Sequence, residues 1–195
     1  YEIVQGDWSS DVCSSDLNSS LGDGTRRKKS DIRFEAIGNV DEANSYIGLI
    51  NVEAPENLQT IIQRIQNDLF DLGADLAVPK GNALRIESIQ VEFLEIQIDW
   101  FNEALQPLDS FILPGGNKIS AMFHIARAVV RRAERSLVAL NEQEVINKNA
   151  LKYLNRLSDL LFVWARHLNN NGKDDILWNP GGKPQKFNNG RDERI

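Results

Sequence analysis

The sequence from Asn117 to Leu140 reads NKISAMFHIARAVVRRAERSLVAL. Apolar residues recur along it every three or four positions, which is the spacing of a helix face that packs against a core. Arg127, Arg131 and Arg135 are four residues apart and therefore form a row on another face, with Arg132 beside them. The segment predicts a helix that packs on one side and presents guanidinium groups on the other.

Two interpretations of this arginine cluster, Arg127, Arg131, Arg132 and Arg135, remain open at this point. It is either an ordinary solvated face, where exposed ion pairs contribute little to stability, or the binding site of an anion. The preceding stretch FILPGG, residues 111–116, favours the anion site. Its glycines let the backbone approach a ligand, and the amides of the first helical turn attract negative charge.

Composition limits the function classes. A chain of 195 residues with 42% hydrophobic residues is expected to form one domain around one core. A net charge of -6 argues against a nucleic-acid partner, so the arginines point to a small anion.

The single cysteine, Cys13, excludes an intramolecular disulfide and fits a reducing compartment. No apolar run approaches the roughly 20 residues that span a bilayer. We expect a soluble, cytoplasmic protein without membrane contacts.

The apolar spacing is helical nearly throughout after about residue 31. It predicts an all-α fold, a five-helix bundle. The fifth helix is apolar nearly all round, which predicts either a central position or a subunit contact. The predicted helices span roughly Ile32 to Val52, Leu58 to Leu76, Ser88 to Leu105, Asn117 to Leu140 and Val145 to Leu168.

We divide the chain into three parts. Residues 1–20 include the Ser- and Asp-rich run WSSDVCSSDL, which resembles translated adapter sequence, and we expect a non-native or disordered segment. Residues 21–178 form the single helical domain. Residues 179–195 are expected to be a flexible C-terminal tail, while residues 176–178 are apolar enough to dock back on the bundle.

The sequence does not match the motifs of two common kinds of site, the di-iron centre of helical bundles and the phosphate-binding P-loop. A di-iron bundle needs Glu-x-x-His pairs, but the residues three before His124 and His167 are Ala121 and Trp164. A phosphate-binding P-loop needs glycine directly before its Lys-Ser pair, and position 28 is lysine.

Three blocks of the sequence resemble the PduO-type ATP:cob(I)alamin adenosyltransferases, the cobalamin adenosyltransferase family. The first two are KSDIRFEAIGNVDEANSYIGLI from Lys29 and NDLFDLGADLA from Asn67. The third combines FILPGGNKISAMFHIARAVVRRAER with YLNRLSDLLFVWAR, which ends at Arg166. They occur in family order and cover most of the chain from Leu21 to Arg166.

The resemblance implies an enzyme that transfers the 5′-deoxyadenosyl group of ATP to cob(I)alamin, giving adenosylcobalamin and triphosphate. It also implies a homotrimer with active sites between subunits. Mg²⁺ is expected with ATP, and a corrinoid reductase is a further expected partner.

The resemblance also assigns site residues. Arg127 corresponds to the catalytic arginine and Asp41 to its carboxylate partner on the neighbouring subunit, while Phe111 corresponds to an aromatic residue below the corrin. His124 is expected to support the site without reacting. Arg132 and Arg135 are expected to support the fold or interface, with Glu134 as their ion-pair partner. The residues assigned to ATP binding are Lys29, Arg33, Arg131 and Asn155.

The chain departs from the family at its beginning. Relatives carry a Tyr-Thr-x-Thr-Gly-Asp-x-Gly-x-Thr segment that wraps the ATP phosphates, and nothing before Leu21 reproduces it, because Gly6 and Asp7 are too far upstream. Two alternatives to the enzyme therefore stay open. One is a trimeric cobalamin carrier or sensor with impaired ATP binding, and the other is a structural helical assembly.

The missing segment gives a first prediction. Replacing residues 1–20 by a family-like phosphate-binding segment is expected to raise the rate of adenosyl transfer, because added amides and hydroxyls would hold the triphosphate. The measurement is the absorbance change as cob(I)alamin becomes adenosylcobalamin. Equal turnover by the two chains would contradict it.

Overall fold

The computed structural model describes residues 17–79 and 85–181 and confirms the expected five-helix architecture. None of the helices in these two ranges is long and apolar enough to cross a membrane. The elements are, in chain order, β1 Asn18–Ser20, β2 Arg26–Lys28, α1 Ile32–Glu53, α2 Glu56–Ala77, α3 Ser88–Asn102, α4 Lys118–Asn141 and α5 Lys148–His167.

Three helices begin at residues whose side chains cap them. Asp31 accepts a hydrogen bond from the backbone nitrogen of Arg33 at the start of α1. Asn117 and Asn147 accept equivalent bonds at the starts of α4 and α5. Such caps satisfy backbone N–H groups that have no partner within the helix, and each contributes about 1 kcal/mol. The sequence prediction missed the end of α3, which stops at Asn102 instead of Leu105.

The fifth helix is central, which is one of the two positions that its composition predicted. It packs against both α4 and α3, while α1 packs against α4 and α2. Trp164 on α5 is fully buried, and its ring lies edge-on to Phe101 of α3 at 5.8 Å and to Phe123 of α4 at 5.5 Å. These contacts fix the three helices around one aromatic centre.

A small β-hairpin precedes α1, and the sequence analysis did not predict it. Strand β1 pairs with β2 in antiparallel fashion, with Ser19 opposite Arg27. Gly24 makes the turn with φ of +81°, which favours glycine. The hairpin is attached to the bundle because Leu21 is buried and the Gly22 nitrogen donates to the Ala77 carbonyl at 2.8 Å.

The hairpin corrects the first domain boundary. Residues 18–20 were expected to belong to a non-native or disordered segment, but they form β1. Strands of three residues give no detectable alternation in sequence, so the pairing had no local signal. Residues 1–16 and most of the expected C-terminal tail, residues 182–195, lie outside the described part of the chain.

A buried arginine ties the hairpin end of the bundle together. Arg33 is 2% exposed and donates to the Leu76 carbonyl at 2.8 Å and to Glu144 at 2.6 Å. Arg27 on β2 pairs with the same carboxylate. Hydrogen bonds from Arg27, together with those from Arg33, lower the pKa of Glu144 from 4.5 to about 2. One carboxylate after α4 therefore joins the hairpin to α1.

This network predicts the effect of Glu144→Gln on folding. The variant is expected to lose about 2 kcal/mol of unfolding free energy at pH 7, because Arg33 would stay buried without its counter-charge. The pKa of Glu144 is lowered in the folded state, so its contribution is present above pH 4.5 and is lost as the pH falls toward about 2. The difference between variant and parent should shrink over that window.

Urea unfolding at several pH values measures this difference. Glu142→Gln is the matched control, because Glu142 lies two residues before Glu144 and its side chain is exposed. A pH-independent difference, or an equal loss in the control, would contradict the assigned role of Glu144.

Candidate active site

The four arginines of the cluster lie on α4, but they face two different neighbouring helices. Arg127 and Arg131 face α5 and line a groove of about 250 Å³ with Ser158, Asp159 and Phe162. The polar and charged walls of this groove match the chemistry that an anion with bound water or metal requires. The two arginines are successive members of the predicted row, so their Cα atoms are about 6 Å apart along the helix.

The other two arginines serve the fold. Arg132 pairs with Glu42 on α1, and the Nη1 atom of Arg135 donates to the Arg131 carbonyl at 3.2 Å. The expectation that Glu134 pairs with Arg132 and Arg135 is wrong. Positions 132 and 134 are about 200° apart around a helix, so one side chain reaches α1 while the other faces α5.

Glu134 instead connects two residues expected to bind ATP. Its Oε2 atom lies 3.3 Å from Nη1 of Arg131, and its Oε1 atom accepts from Nδ2 of Asn155 at 2.9 Å. The carboxylate therefore fixes a cation on α4 relative to an amide on α5. The i, i+3 spacing of Arg131 and Glu134 was visible in the sequence, but the contact to Asn155 depends on the pairing of the two helices.

Arg127 has an unusual environment for a guanidinium group. Its side chain is partly buried, and its Nε atom is buried without a hydrogen-bond partner among the residues described. Burial, and next the positive charge of Arg131, lower its pKa from the ordinary value. A cation that is half removed from water without a carboxylate partner is poised to bind an anion.

Arg127 also borders a second, larger cavity of about 660 Å³. Phe111 and Phe162 contribute aromatic surface to it, and Pro114 and Ile112 contribute aliphatic surface. Phe111 is 76% exposed, so one face of its ring is open to a ligand. A cavity of this size with apolar walls suits a large planar ligand.

The chain after α5 holds the Phe111 loop in place. The Trp178 nitrogen donates to the Phe111 carbonyl at 2.7 Å, and the Leu113 nitrogen donates to the Ile176 carbonyl at 2.8 Å. The rings of Phe111 and Trp178 meet at 6.1 Å. Residues 176–178 therefore dock back on the bundle, as their apolar character indicated.

His124 is buried in the wall of the same cavity, one turn before Arg127. Burial, and next the charge of Arg127, lower its pKa below the ordinary value, so the ring is neutral at pH 7. A neutral ring adds no positive charge beside Arg127.

Two of the expected ATP residues lie at the hairpin end. Lys29 is exposed just after β2, and its backbone nitrogen donates to the Leu17 carbonyl at 2.8 Å. The row from Arg127 to Arg135 runs along α4 toward this end of the bundle. Arg33, by contrast, is buried, and both Leu76 and Glu144 occupy its guanidinium. The Arg33 guanidinium is thus already bonded within the chain, and its assignment to ATP binding stays a prediction.

Asp41 does not join Arg127 within one chain. It is exposed on α1 and lines a separate apolar cavity of about 440 Å³ between α1 and α2, together with Phe34 and Phe70. The expected carboxylate and guanidinium thus belong to different surfaces of the protein.

No group of three or more His, Cys, Asp or Glu residues within ranges 17–79 and 85–181 is arranged to hold a metal ion. The described side chains therefore do not form a dedicated Mg²⁺ site.

Comparison with known proteins agrees with this geometry. The family model for cobalamin adenosyltransferase matches residues 16–168. A cobalamin adenosyltransferase of Cupriavidus metallidurans is 49% identical over 161 residues, covering 81% of this chain and 86% of the relative. A corrinoid adenosyltransferase of Mycobacterium tuberculosis is 45% identical over 176 residues, covering 86% and 90%.

Solved structures give the same result. A PduO-type ATP:corrinoid adenosyltransferase variant from Lactobacillus reuteri, complexed with cobalamin and ATP, superposes with a TM-score of 0.78. It is 34% identical, and the match covers 84% of this chain and 92% of that one. Because the family model spans most of the chain and the relatives are nearly half identical, the protein belongs to the cobalamin adenosyltransferase family.

Proposed function

We propose that this protein transfers the 5′-deoxyadenosyl group of ATP to cob(I)alamin, releasing triphosphate. The observation that carries this proposal is the position of Arg127, which borders both the aromatic cavity and the arginine groove. A planar corrin in the first and a triphosphate in the second would bring the cobalt and the 5′ carbon together near this residue. Arg127 would then lie where negative charge develops.

The chemistry explains the need for arginine. The cobalt of cob(I)alamin supplies an electron pair to the 5′ carbon of ATP, a cobalt–carbon bond forms, and the carbon–oxygen bond to triphosphate breaks. Charge accumulates on the leaving oxygen, and a cation already in position stabilises it without reorganisation. The planar fork of a guanidinium can bind two phosphate oxygens at once.

The other nucleotide contacts follow the same row. Arg131 would bind phosphate oxygens in the groove, Asn155 would contact the nucleotide from α5, and Lys29 would meet it at the hairpin end. The ion pair of Glu134 with Arg131 and the hydrogen bond that Glu134 accepts from Asn155 support this assignment, because they hold both groups in one orientation. Mg²⁺ is expected to accompany ATP and to bind oxygens of the triphosphate.

Phe111 would pack against the lower face of the corrin. Its exposed ring, backed by Trp178 at 6.1 Å, offers apolar surface where a lower axial ligand would otherwise approach the cobalt. Excluding that ligand favours four-coordinate cobalt, which is easier to reduce to the nucleophilic state. A corrinoid reductase would supply the electron, in the cytoplasm.

We further propose a homotrimer in which Asp41 of one subunit orients Arg127 of the next. Two observations support this arrangement. The two residues line separate cavities within one chain, and Arg127 lacks a carboxylate partner among the described residues. In addition, α1 and α4 each expose an apolar side chain that a neighbouring subunit could cover, with Leu49 55% and Ile125 50% exposed.

Arg127→Ala tests the proposed reaction. The variant is expected to remain folded and trimeric but to lose at least about 100-fold in kcat, because removing one preorganised donor to a developing anion has this effect in other enzymes. Arg135→Ala is the matched control, since Arg135 lies on the same row and, among residues 17–79 and 85–181, donates to the backbone of Arg131 rather than lining the groove. Turnover near the parent rate in Arg127→Ala would exclude the catalytic role.

One assay separates the enzyme from the alternative functions. The parent chain is mixed with reduced cobalamin and ATP and followed by absorbance and electron paramagnetic resonance. Formation of adenosylcobalamin supports the transferase. A four-coordinate cob(II)alamin signal without conversion would indicate a carrier or sensor instead, and no spectral change would indicate a structural assembly.

Mixed trimers test the intersubunit pair. Asp41→Asn and Arg127→Ala chains are each expected to be inactive, but co-refolded at equal amounts they should recover about a quarter of parent activity. That is the chance that a site receives Arg127 from one chain and Asp41 from the other. No recovery, with trimers present, would show that the two residues act within a single chain.

A further inference from the structure

Helix α3 buries one apolar face in the bundle and leaves most of a second apolar face exposed. Its buried face consists of Val91, Leu94 and Phe101. Four more apolar residues recur at spacings of four, three and four on the opposite side, because a helix turns by about 100° per residue. We name these four residues the α3 stripe: Ile89, Phe93, Ile96 and Trp100.

Three of the four residues of the α3 stripe are exposed, and the fourth, Phe93, packs against the core. Ile89 is 63% exposed, Ile96 63% and Trp100 62%. Phe93 between them is partly buried, and the guanidinium carbon of Arg64 lies 3.5 Å from its ring centroid, which holds the ring in place. Single exposed apolar residues are common on protein surfaces, but a contiguous row along three turns of a helix marks an interaction site.

An acidic line runs along one edge of the stripe. It consists of Glu92, Glu95, Asp99 and Glu103, which recur with helical spacing beside the apolar residues. Among the described residues only Glu95 of this line has an ion-pair partner, Arg156 on α5. The opposite edge carries neutral amides, such as Gln90. The surface is therefore apolar with a negative border on one side.

We propose that the α3 stripe binds a basic amphipathic helix of another protein, whose apolar face packs on the stripe while its Lys and Arg residues meet the acidic line. In this mode of recognition, apolar side chains at helical spacing make the main contacts, and charged side chains set the orientation of the bound helix. Four anchors along one helix match the contact surface that such a partner offers.

Other occupants fit the surface less well. A second copy of this chain would bring two acidic lines together, and an anionic membrane would be repelled by the same charges. The proposed trimer contacts involve Asp41 on α1 and Arg127 on α4. Helix α3 instead packs on α5 and meets α2 through Gln90 and Phe93, and it carries neither residue of the proposed intersubunit pair.

Two fluorescent, helix-stapled peptides test the proposal with the full-length protein. Both carry a leucine stripe, edged by lysine in one and by glutamate in the other, and binding is followed by anisotropy. We expect the lysine peptide to bind at least about ten times more tightly, with an affinity that falls as salt rises. Equal binding of the two peptides, or binding of neither, would overturn the proposal.

Variants locate the site. Ile96→Gln with Trp100→Gln should weaken the lysine peptide at least about ten-fold. Val145→Gln is the control, because Val145 is 96% exposed on the α4–α5 connection and should leave binding unchanged. Exchanging Glu92 and Asp99 for lysine should reverse the preference to the glutamate peptide. Adenosyl transfer by the variant Ile96→Gln with Trp100→Gln should remain at the parent rate, since neither residue lines the cavities next to Arg127 or the pocket that contains Asn155.

Three results would assign the stripe to another occupant and overturn the proposal. The first is self-association in sedimentation experiments that Ile96→Gln with Trp100→Gln removes. The second is retention of the parent protein, but not of that variant, on phosphatidylglycerol vesicles. The third is an intramolecular cross-link from position 96 to residues 182–195.

Discussion

The site depends on the packing of α4 against α5, which Glu134 fixes at one point. Its carboxylate contacts Arg131 on its own helix and Asn155 on the next, so the rotation and register of the pair are specified together. Hydrogen bonds to a partly buried carboxylate are stronger than those at an open surface, because water competes less. The same register brings Phe162 of α5 beside Arg127 and so forms the wall shared by the groove and the aromatic cavity.

Helical geometry also separates function from support within a short sequence. Neighbouring positions on a helix point about 100° apart, so Arg131 and Arg132 cannot serve the same surface. The first faces the groove with Arg127, whereas the second holds α1 through Glu42. Arginine therefore serves both the groove and the helix packing. The angular position of each residue around the axis of α4 decides which of the two it contacts.

The sequence predicted features that repeat and missed features that occur once. Periodic apolar residues located all five helices, and the composition of α5 left its central position as one of two possibilities. The burial of Arg33 was not predictable, because it requires Leu76 and Glu144 to meet from distant parts of the chain. The same holds for Glu134, whose partner Asn155 is 21 residues away on another helix. Such contacts are set by tertiary packing, which local spacing does not encode.

The electrostatics of Arg127 explain why a single chain provides only part of the proposed site. A guanidinium that loses hydration must gain a counter-charge, or the folded protein bears the desolvation cost. Within the described chain Arg127 borders a largely apolar cavity, a neutral His124 and the like charge of Arg131, and the Asp159 carboxylate that lines the groove pairs with Arg156. A triphosphate would neutralise it only when substrate is bound. A carboxylate from a neighbouring subunit would orient the Arg127 guanidinium before ATP binds. Assembly of the trimer would then also preorganise the catalytic group. In that arrangement the trimer is required for catalysis, because Asp41 and Arg127 of one subunit lie on different surfaces and can meet only across a contact between subunits.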